Sequence, residues 1–218
     1  MIDISLQQIL TGTSLNVISQ HLIDIAFNPT ACACELFQVV VFFAIVWFVI
    51  FYILKAIIRP LVHNKPWLLT AIERDYDRAG KKMLAELKIT MDKEQFISWA
   101  MNDWPRMQAI YIQHLVGSLF CIPSLFGIGD PSIASSLAIC GVLSEMGWEF
   151  QDAVEMLLVR AFHKNGKTIW PDSIVVIFLV HHSLASIIGV PMILHYRDNR
   201  SFHWLCVSLC CCIAPCFT

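Results

Sequence analysis

The stretch 36-LFQVVVFFAIVWFVIFYIL-54 contains no charged residue, and Gln38 is its one strongly polar side chain. A helix needs about 20 mainly apolar residues to cross the core of a bilayer, so this stretch predicts a membrane-spanning helix. Of the 218 residues in the chain, 57% are hydrophobic and 15% are charged, whereas a soluble domain has about 25% charged residues. We therefore expect an integral membrane protein. The formal net charge of −2 gives no basis for nucleic-acid binding.

Four further apolar stretches predict additional spans, which makes about five in all. They cover residues 107–129, 132–162, 173–194 and 202–217. The last is short for a bilayer, and the third carries acidic residues in its second half. The predicted fold class is all-α, a polytopic transmembrane helical bundle.

The positions of Lys and Arg predict the orientation of the chain. Ten of the fifteen lie between Lys55 and Arg106, and residues 1–35 contain none. Basic residues are enriched in cytoplasmic loops. We therefore expect a lumenal N-terminal segment over 1–35, a first span over 36–62, a cytosolic loop over 63–105, and a second transmembrane domain over 106–218.

The predicted cytosolic loop contains an apolar stripe at helical spacing. The stripe consists of Leu69, Ile72, Tyr76, Ala79, Met83 and Leu87. A second short helix is predicted to begin near Asp92, because Gln95 follows in the position of a capping box. We expect two amphipathic helices on the cytosolic face of the membrane; a soluble helical hairpin is the alternative.

Three of the predicted spans carry ionisable residues at a similar depth. A rise of about 1.5 Å per residue puts His114 about 12 Å, His181 and His182 about 14 Å, and Glu145 about 10 Å from the cytosolic face. Ionisable residues inside a membrane are costly and usually face the interior of a bundle. The sequence therefore predicts a polar layer within the bundle.

The carboxylates Glu145, Glu149 and Asp152 are spaced by four and three residues, so they share one face of a helix. Glu149 and Asp152 could alternatively lie at the membrane boundary. His181 and His182 point about 100° apart, so they cannot address one point together. A structural role, in which each histidine is satisfied by a hydrogen bond between helices, remains open.

The histidines and a buried carboxylate could act as a general base and its orienting group in acyl transfer. We predict His181, His182 and Glu145 as the catalytic residues. The predicted substrate-binding residues are His114, Glu149, Asp152 and Ser186. Ser186 is included because it shares a helix face with His182.

We expect neither a metal nor a cofactor. A membrane di-iron centre would need several histidine motifs, and this chain has one histidine pair. A haem would need axial histidines on facing helices. His114 with His181 or His182 could supply them, but two fitting histidines carry little weight.

Three segments in order give the chain a familiar layout. They are 103-DWPRMQAIYIQHLVGSLF-120, 138-AICGVLSEMGWEFQDAVEML-157 and 178-FLVHHSLASIIGVPMIL-194. This layout resembles the TLC domain family, which includes ceramide synthases and translocating-chain-associated membrane proteins. The resemblance covers about residues 95–205. It makes His181 and His182 the paired histidines of the family, with Glu145 or Glu149 as the acid of the preceding span.

The resemblance implies an endoplasmic reticulum or other endomembrane protein acting in membrane lipid homeostasis or lipid-linked trafficking, with membrane lipids as partners. The alternatives are an acyl-CoA-dependent acyltransferase with His182 as base, and a non-catalytic membrane adaptor. The further polar signature of ceramide synthases is missing from 195-HYRDNRSFHWLC-206, which puts ceramide synthesis in doubt. Whether the protein is an enzyme, and its oligomeric state, stay open.

The family has further spans beyond this point, whereas the chain ends in the cysteine-rich segment 206-CVSLCCCIAPCFT-218. We expect the second transmembrane domain to be incomplete, as in a truncated or mis-spliced gene product.

Overall fold

The computed structural model of the chain describes residues 13–63 and 65–212, with side chains over 16–63 and 65–207. Within these ranges every regular element is a helix, which confirms the all-α prediction. The elements are α1 Thr13–Phe27, α2 Ala33–Val62, α3 Pro66–Asp75, a π-turn Tyr76–Gly80, α4 Lys81–Glu86, α5 Lys93–Phe126, α6 Pro131–Phe162, α7 Gly166–Ile169, α8 Asp172–Tyr196 and α9 Arg200–Cys212.

Three of these helices, α2, α5 and α8, are long and apolar enough to cross a membrane. Helix α6 has 32 residues but is not one of the three. Helix α9 has 13 residues, and positions 213–217 of the last predicted span lie outside the described part. Large apolar side chains such as Ile45, Val49, Val180 and Ile187 are exposed on α2 and α8, as expected of surfaces that contact lipid.

The amphipathic unit of the predicted loop is present, but its apolar face differs from the predicted stripe. Leu68, Ile72, Gly80 and Leu84 are buried, whereas Ala79 and Met83 are exposed. The π-turn Tyr76–Gly80 is the cause, because its wider i→i+5 turn rotates the residues that follow it. The buried face packs on Phe96 and Met101 of α5.

Helix α5 begins where the capping box predicted. Asp92 accepts a hydrogen bond from the Gln95 backbone N–H, and the Gln95 side chain accepts one from the Asp92 backbone N–H. The prediction of a separate short helix was wrong, because α5 runs unbroken to Phe126. Pro105 lies within it, and it is buried on the same face as Met101 and Ala109, so packing holds the helix together across the proline.

Helix α6 is the central helix of the bundle, packed against α2, α5 and α8. Glycines allow two of these approaches: a Cβ on Gly141 would lie 2.6 Å from the Gly117 carbonyl oxygen of α5, and one on Gly147 would lie 2.5 Å from Phe43 Cβ of α2. Leu143 in the first half of α6 is fully buried in the main hydrophobic core. Since α2, α5 and α8 cover three sides of α6, polar side chains on those sides must find partners inside the bundle.

The turn between α8 and α9 is hydrogen-bonded to the end of α1 and the start of α6. Arg197 donates hydrogen bonds to the carbonyls of Ala26 and Asn28 at the end of α1, and to Ser136 Oγ of α6. His203 Nε2 lies 2.8 Å from the Arg197 carbonyl oxygen. The polar residues in this part of 195-HYRDNRSFHWLC-206 therefore hold helix ends together.

Candidate functional site

The histidine pair of α8 meets the acidic face of α6. His182 is buried; its Nδ1 contacts Glu149 Oε2, and its Nε2 lies 3.2 Å from Asp152 Oδ2. His181 is 57% exposed, and its Nε2 lies 3.6 Å from Glu149 Oε1. The His182 nitrogens and Glu149 Oε2 are close to these partners but are not aligned with them as hydrogen bonds. Glu149 is therefore the carboxylate that both histidines share, so the prediction that His181 and His182 cannot address one point together was wrong. The carboxylate spans the angle between the two rings, because Oε1 faces His181 and Oε2 faces His182.

Arg106 of α5 neutralises the neighbouring acid. Its guanidinium forms a buried ion pair with Asp152 and lies over the rings of Trp170, at 4.4 Å from the centroid, and Phe178, at 5.6 Å. Such cation–π contacts add to the ion pair when the cation is desolvated. Among the described residues, Glu149 has no comparable ion pair with Lys or Arg.

A second polar group is centred on Glu145, one helical turn before Glu149 in α6. His114 Nδ1 of α5 lies 2.8 Å from Glu145 Oε1, without the alignment of a hydrogen bond. Gln113 Nε2 donates a hydrogen bond to Glu145 Oε2. Glu145 thus faces α5, whereas Glu149 faces α8.

An apolar cavity of about 420 Å³ adjoins both groups, within the range of about 300–1,000 Å³ typical of small-molecule sites. Helices α5, α6, α8 and α9 form its walls. Along α8 the lining runs from His181 to Met192, about 16 Å along the helix axis. The lining contains two carboxylates, Glu145 and Glu149, and one imidazole, His181. Apolar residues, glycines and the thiols of two cysteines make up the rest.

The structure brings most of the predicted site residues together, in an arrangement that differs from the proposed roles. His182 was predicted to be oriented by Glu145, but Glu145 contacts His114, and Glu149 contacts His182. His182, His114 and Asp152 do not line the cavity. Ser186 is half-buried and belongs to neither polar group nor to the cavity lining.

Two polar residues of the site, Arg106 and Gln113, were missed as functional residues. They are seven positions apart, which puts them on one face of α5 together with Gly117. All three residues are buried. The heptad spacing was the signal that could have identified them.

Comparisons of the chain with protein-family models, with curated proteins and with solved structures give no significant match.

Proposed function

We propose that this chain is a TLC-like membrane protein that binds a membrane lipid and acts in membrane lipid homeostasis or lipid-linked trafficking. The cavity carries this proposal, because its walls are apolar apart from the ionisable groups of His181, Glu145 and Glu149. An acyl chain would lie along α8 from Ala185 to Met192, and the polar headgroup would lie beside His181, Glu145 and Glu149. A hydrocarbon chain in this position buries apolar surface, which is favourable.

The head end of the cavity favours a lipid that donates hydrogen bonds. Glu145 and Glu149 present carboxylate oxygens, which accept hydrogen bonds when ionised. A hydroxyl or amine headgroup would donate hydrogen bonds to them, whereas a phosphate would be repelled by the two carboxylates. We therefore propose a lipid with a hydroxyl or amine head rather than an anionic phospholipid.

The proposed setting is an endomembrane such as the endoplasmic reticulum, with about five spans and a lumenal N-terminus. Helices α6 and α9 would complete the five spans beside α2, α5 and α8. The cavity head would then lie nearer the cytosolic face.

A cavity-filling variant tests lipid binding. Ala185 lines the cavity, whereas Ile187 of the same helix is 67% exposed on the outer face. Full-length protein and the variants Ala185→Phe and Ile187→Phe are purified in the same detergent, and co-purifying lipid is quantified by mass spectrometry. We expect Ala185→Phe to reduce bound lipid several-fold and Ile187→Phe to leave it unchanged. Equal lipid recovery from all three folded proteins would contradict the proposal.

The structure changes which histidine would act as the base in the acyltransferase alternative. His182 lies between two carboxylates and away from the cavity lining, so the base that meets a bound acceptor would be His181. Lipidomics of cells expressing the chain or its His181→Ala variant at matched abundance tests this role. Loss of one acyl-lipid product in the variant would favour acyl transfer, and reduced abundance or thermal stability alone would favour the adaptor.

A further inference from the structure

We propose that Glu149, His181 and His182 bind a divalent transition-metal ion, with Zn²⁺ as the best fit. One ligand atom from each of the three side chains lies within 4.8 Å of the others. The sequence predicted no metal, because a di-iron centre would need several histidine motifs and the chain has one histidine pair. The distance between helices α6 and α8 was not readable from the sequence. The metal proposal does not rest on the proposed lipid function, although both involve Glu149 and His181.

One of the separations already suits a metal centre, whereas the closer contact of His182 Nδ1 with Glu149 Oε2 must open to admit an ion. Ligand atoms in a tetrahedral zinc site, with bonds of about 2.0–2.2 Å, lie about 3.3–3.6 Å apart. His181 Nε2 and Glu149 Oε1 are 3.6 Å apart. The ring of His181 is more than half exposed, so it is free to rotate and close the set around an ion.

Unsatisfied buried atoms point to the same place. Both ring nitrogens of His182 and Glu149 Oε2 are buried without a hydrogen bond within the described part of the chain. Buried polar atoms in folded proteins nearly always have a partner. A metal bound by Glu149 and one nitrogen of His182 would satisfy two of these three atoms, and Asp152, 3.2 Å from Nε2, could then orient the ring from behind.

The charge balance also favours a cation. Asp152 has Arg106 as its partner, whereas the contacts of Glu149 in the described residues are the two histidines. A buried carboxylate is costly unless its charge is compensated. A divalent ion compensates it without requiring either imidazole to be protonated.

The ligand chemistry selects the ion. Two imidazoles and one carboxylate suit zinc and other transition metals, whereas calcium and magnesium favour oxygen ligands. Two histidines and a glutamate are also the ligand set of catalytic zinc sites that keep a fourth position open. Since Glu149 and His181 line the cavity, we place that open position on the cavity side. Contact between the metal and a lipid headgroup would additionally rest on the proposed function.

Metal reconstitution tests the site. Full-length protein in detergent is stripped with a chelator and titrated with Zn²⁺ and with Co²⁺, and bound metal is measured by elemental mass spectrometry and visible absorption. We expect about one histidine-ligated ion per chain. His182→Ala and Glu149→Gln should weaken binding by more than about tenfold, while His195→Ala, an exposed histidine of the same helix, should not.

The cobalt spectrum separates this site from the thiols, because Cys32 and Cys34 are exposed and cobalt–thiolate absorption is distinct. Zinc should also raise the melting temperature of the parent protein and not that of Glu149→Gln.

A folded parent protein that binds no ion, or binds it through thiolates alone, would overturn the proposal. So would equal histidine-type binding by the parent and both ligand variants. If the variants fail to fold, the cobalt spectrum of the parent protein still decides. Lipid recovery is measured separately, so either proposal can fail while the other stands.

Discussion

At the scale of single residues, Arg106 is the side chain that ties the polar layer together. It pairs with Asp152 of α6 and lies over Trp170 and Phe178, so it links α5 to α6, to the linker before α8 and to α8 itself. Both partners of the ion pair are buried, at 10% and 3% side-chain exposure. Removing one partner of a buried pair is costly because the other charge is left uncompensated.

We predict that Arg106→Met destabilises the protein by about 3–5 kcal/mol. The loss would come from the uncompensated Asp152 and from the lost ring contacts. Thermal unfolding in detergent, followed by circular dichroism, measures it. Arg59→Met is the matched control, because Arg59 is exposed and makes no ion pair with a described residue. The double variant Arg106→Met/Asp152→Leu should recover part of the loss, since it removes both charges. An Arg106→Met protein as stable as the Arg59→Met control would show that the pair is dispensable.

At the scale of helices, α6 determines the arrangement because it is packed on three sides. Its approach to α5 depends on Gly141, where a side chain would collide with the Gly117 carbonyl at 2.6 Å. A side chain at Gly117 has room, since a Cβ there would lie 3.5 Å from the Gly141 carbonyl oxygen, an ordinary contact distance. The two glycines face each other but differ in what they allow.

We therefore predict that Gly141→Ala lowers stability by about 1–3 kcal/mol through overpacking. Gly117→Ala should be neutral or stabilising, because alanine favours the helix by up to about 1 kcal/mol. Paired thermal melts of the two variants measure the difference. Equal effects at both positions would contradict this interhelical contact.

At the scale of the whole molecule, the two ends of the bundle differ in chemistry. The end with the polar layer adjoins the amphipathic unit of α3 and α4, which carries Arg74, Lys81 and Lys82. The opposite end carries the Arg197 turn, and residues 1–35 of the sequence contain no Lys or Arg. Basic loops stay on the cytosolic side, so we propose that the polar layer lies nearer the cytosol.

Glycosylation acceptors test this orientation in cells. We predict that an acceptor sequence added before Met1 is modified and that one inserted after Thr90 is not. An endoglycosidase-sensitive shift in gel mobility measures modification. The chain already contains the acceptor triplet Asn199-Arg200-Ser201, so Asn199→Gln is the background for both variants. Glycosylation of the acceptor inserted after Thr90 would show that the orientation is the opposite of the one predicted.

Much of the helix framework followed from the sequence. The uncharged run 36–54, the capping box at Asp92 and the starts of α6 and α8 depend on neighbouring residues along the chain. The apolar stripe was readable only as far as Ile72 and Tyr76, because a π-turn then shifts the register. The spacing of the apolar residues does not predict the π-turn Tyr76–Gly80.

The candidate site divides in the same way. The sequence by itself predicted that histidines and carboxylates lie at similar levels of the bundle, because level follows from counting residues along a helix. The tertiary structure alone decided which of them meet: Glu149 rather than Glu145 at His182, Arg106 at Asp152, and His181 rather than His182 in the cavity lining. These pairings depend on how each helix is rotated about its axis against its neighbours. That rotation is set by contacts such as Gly141 on Gly117, between residues far apart in the chain.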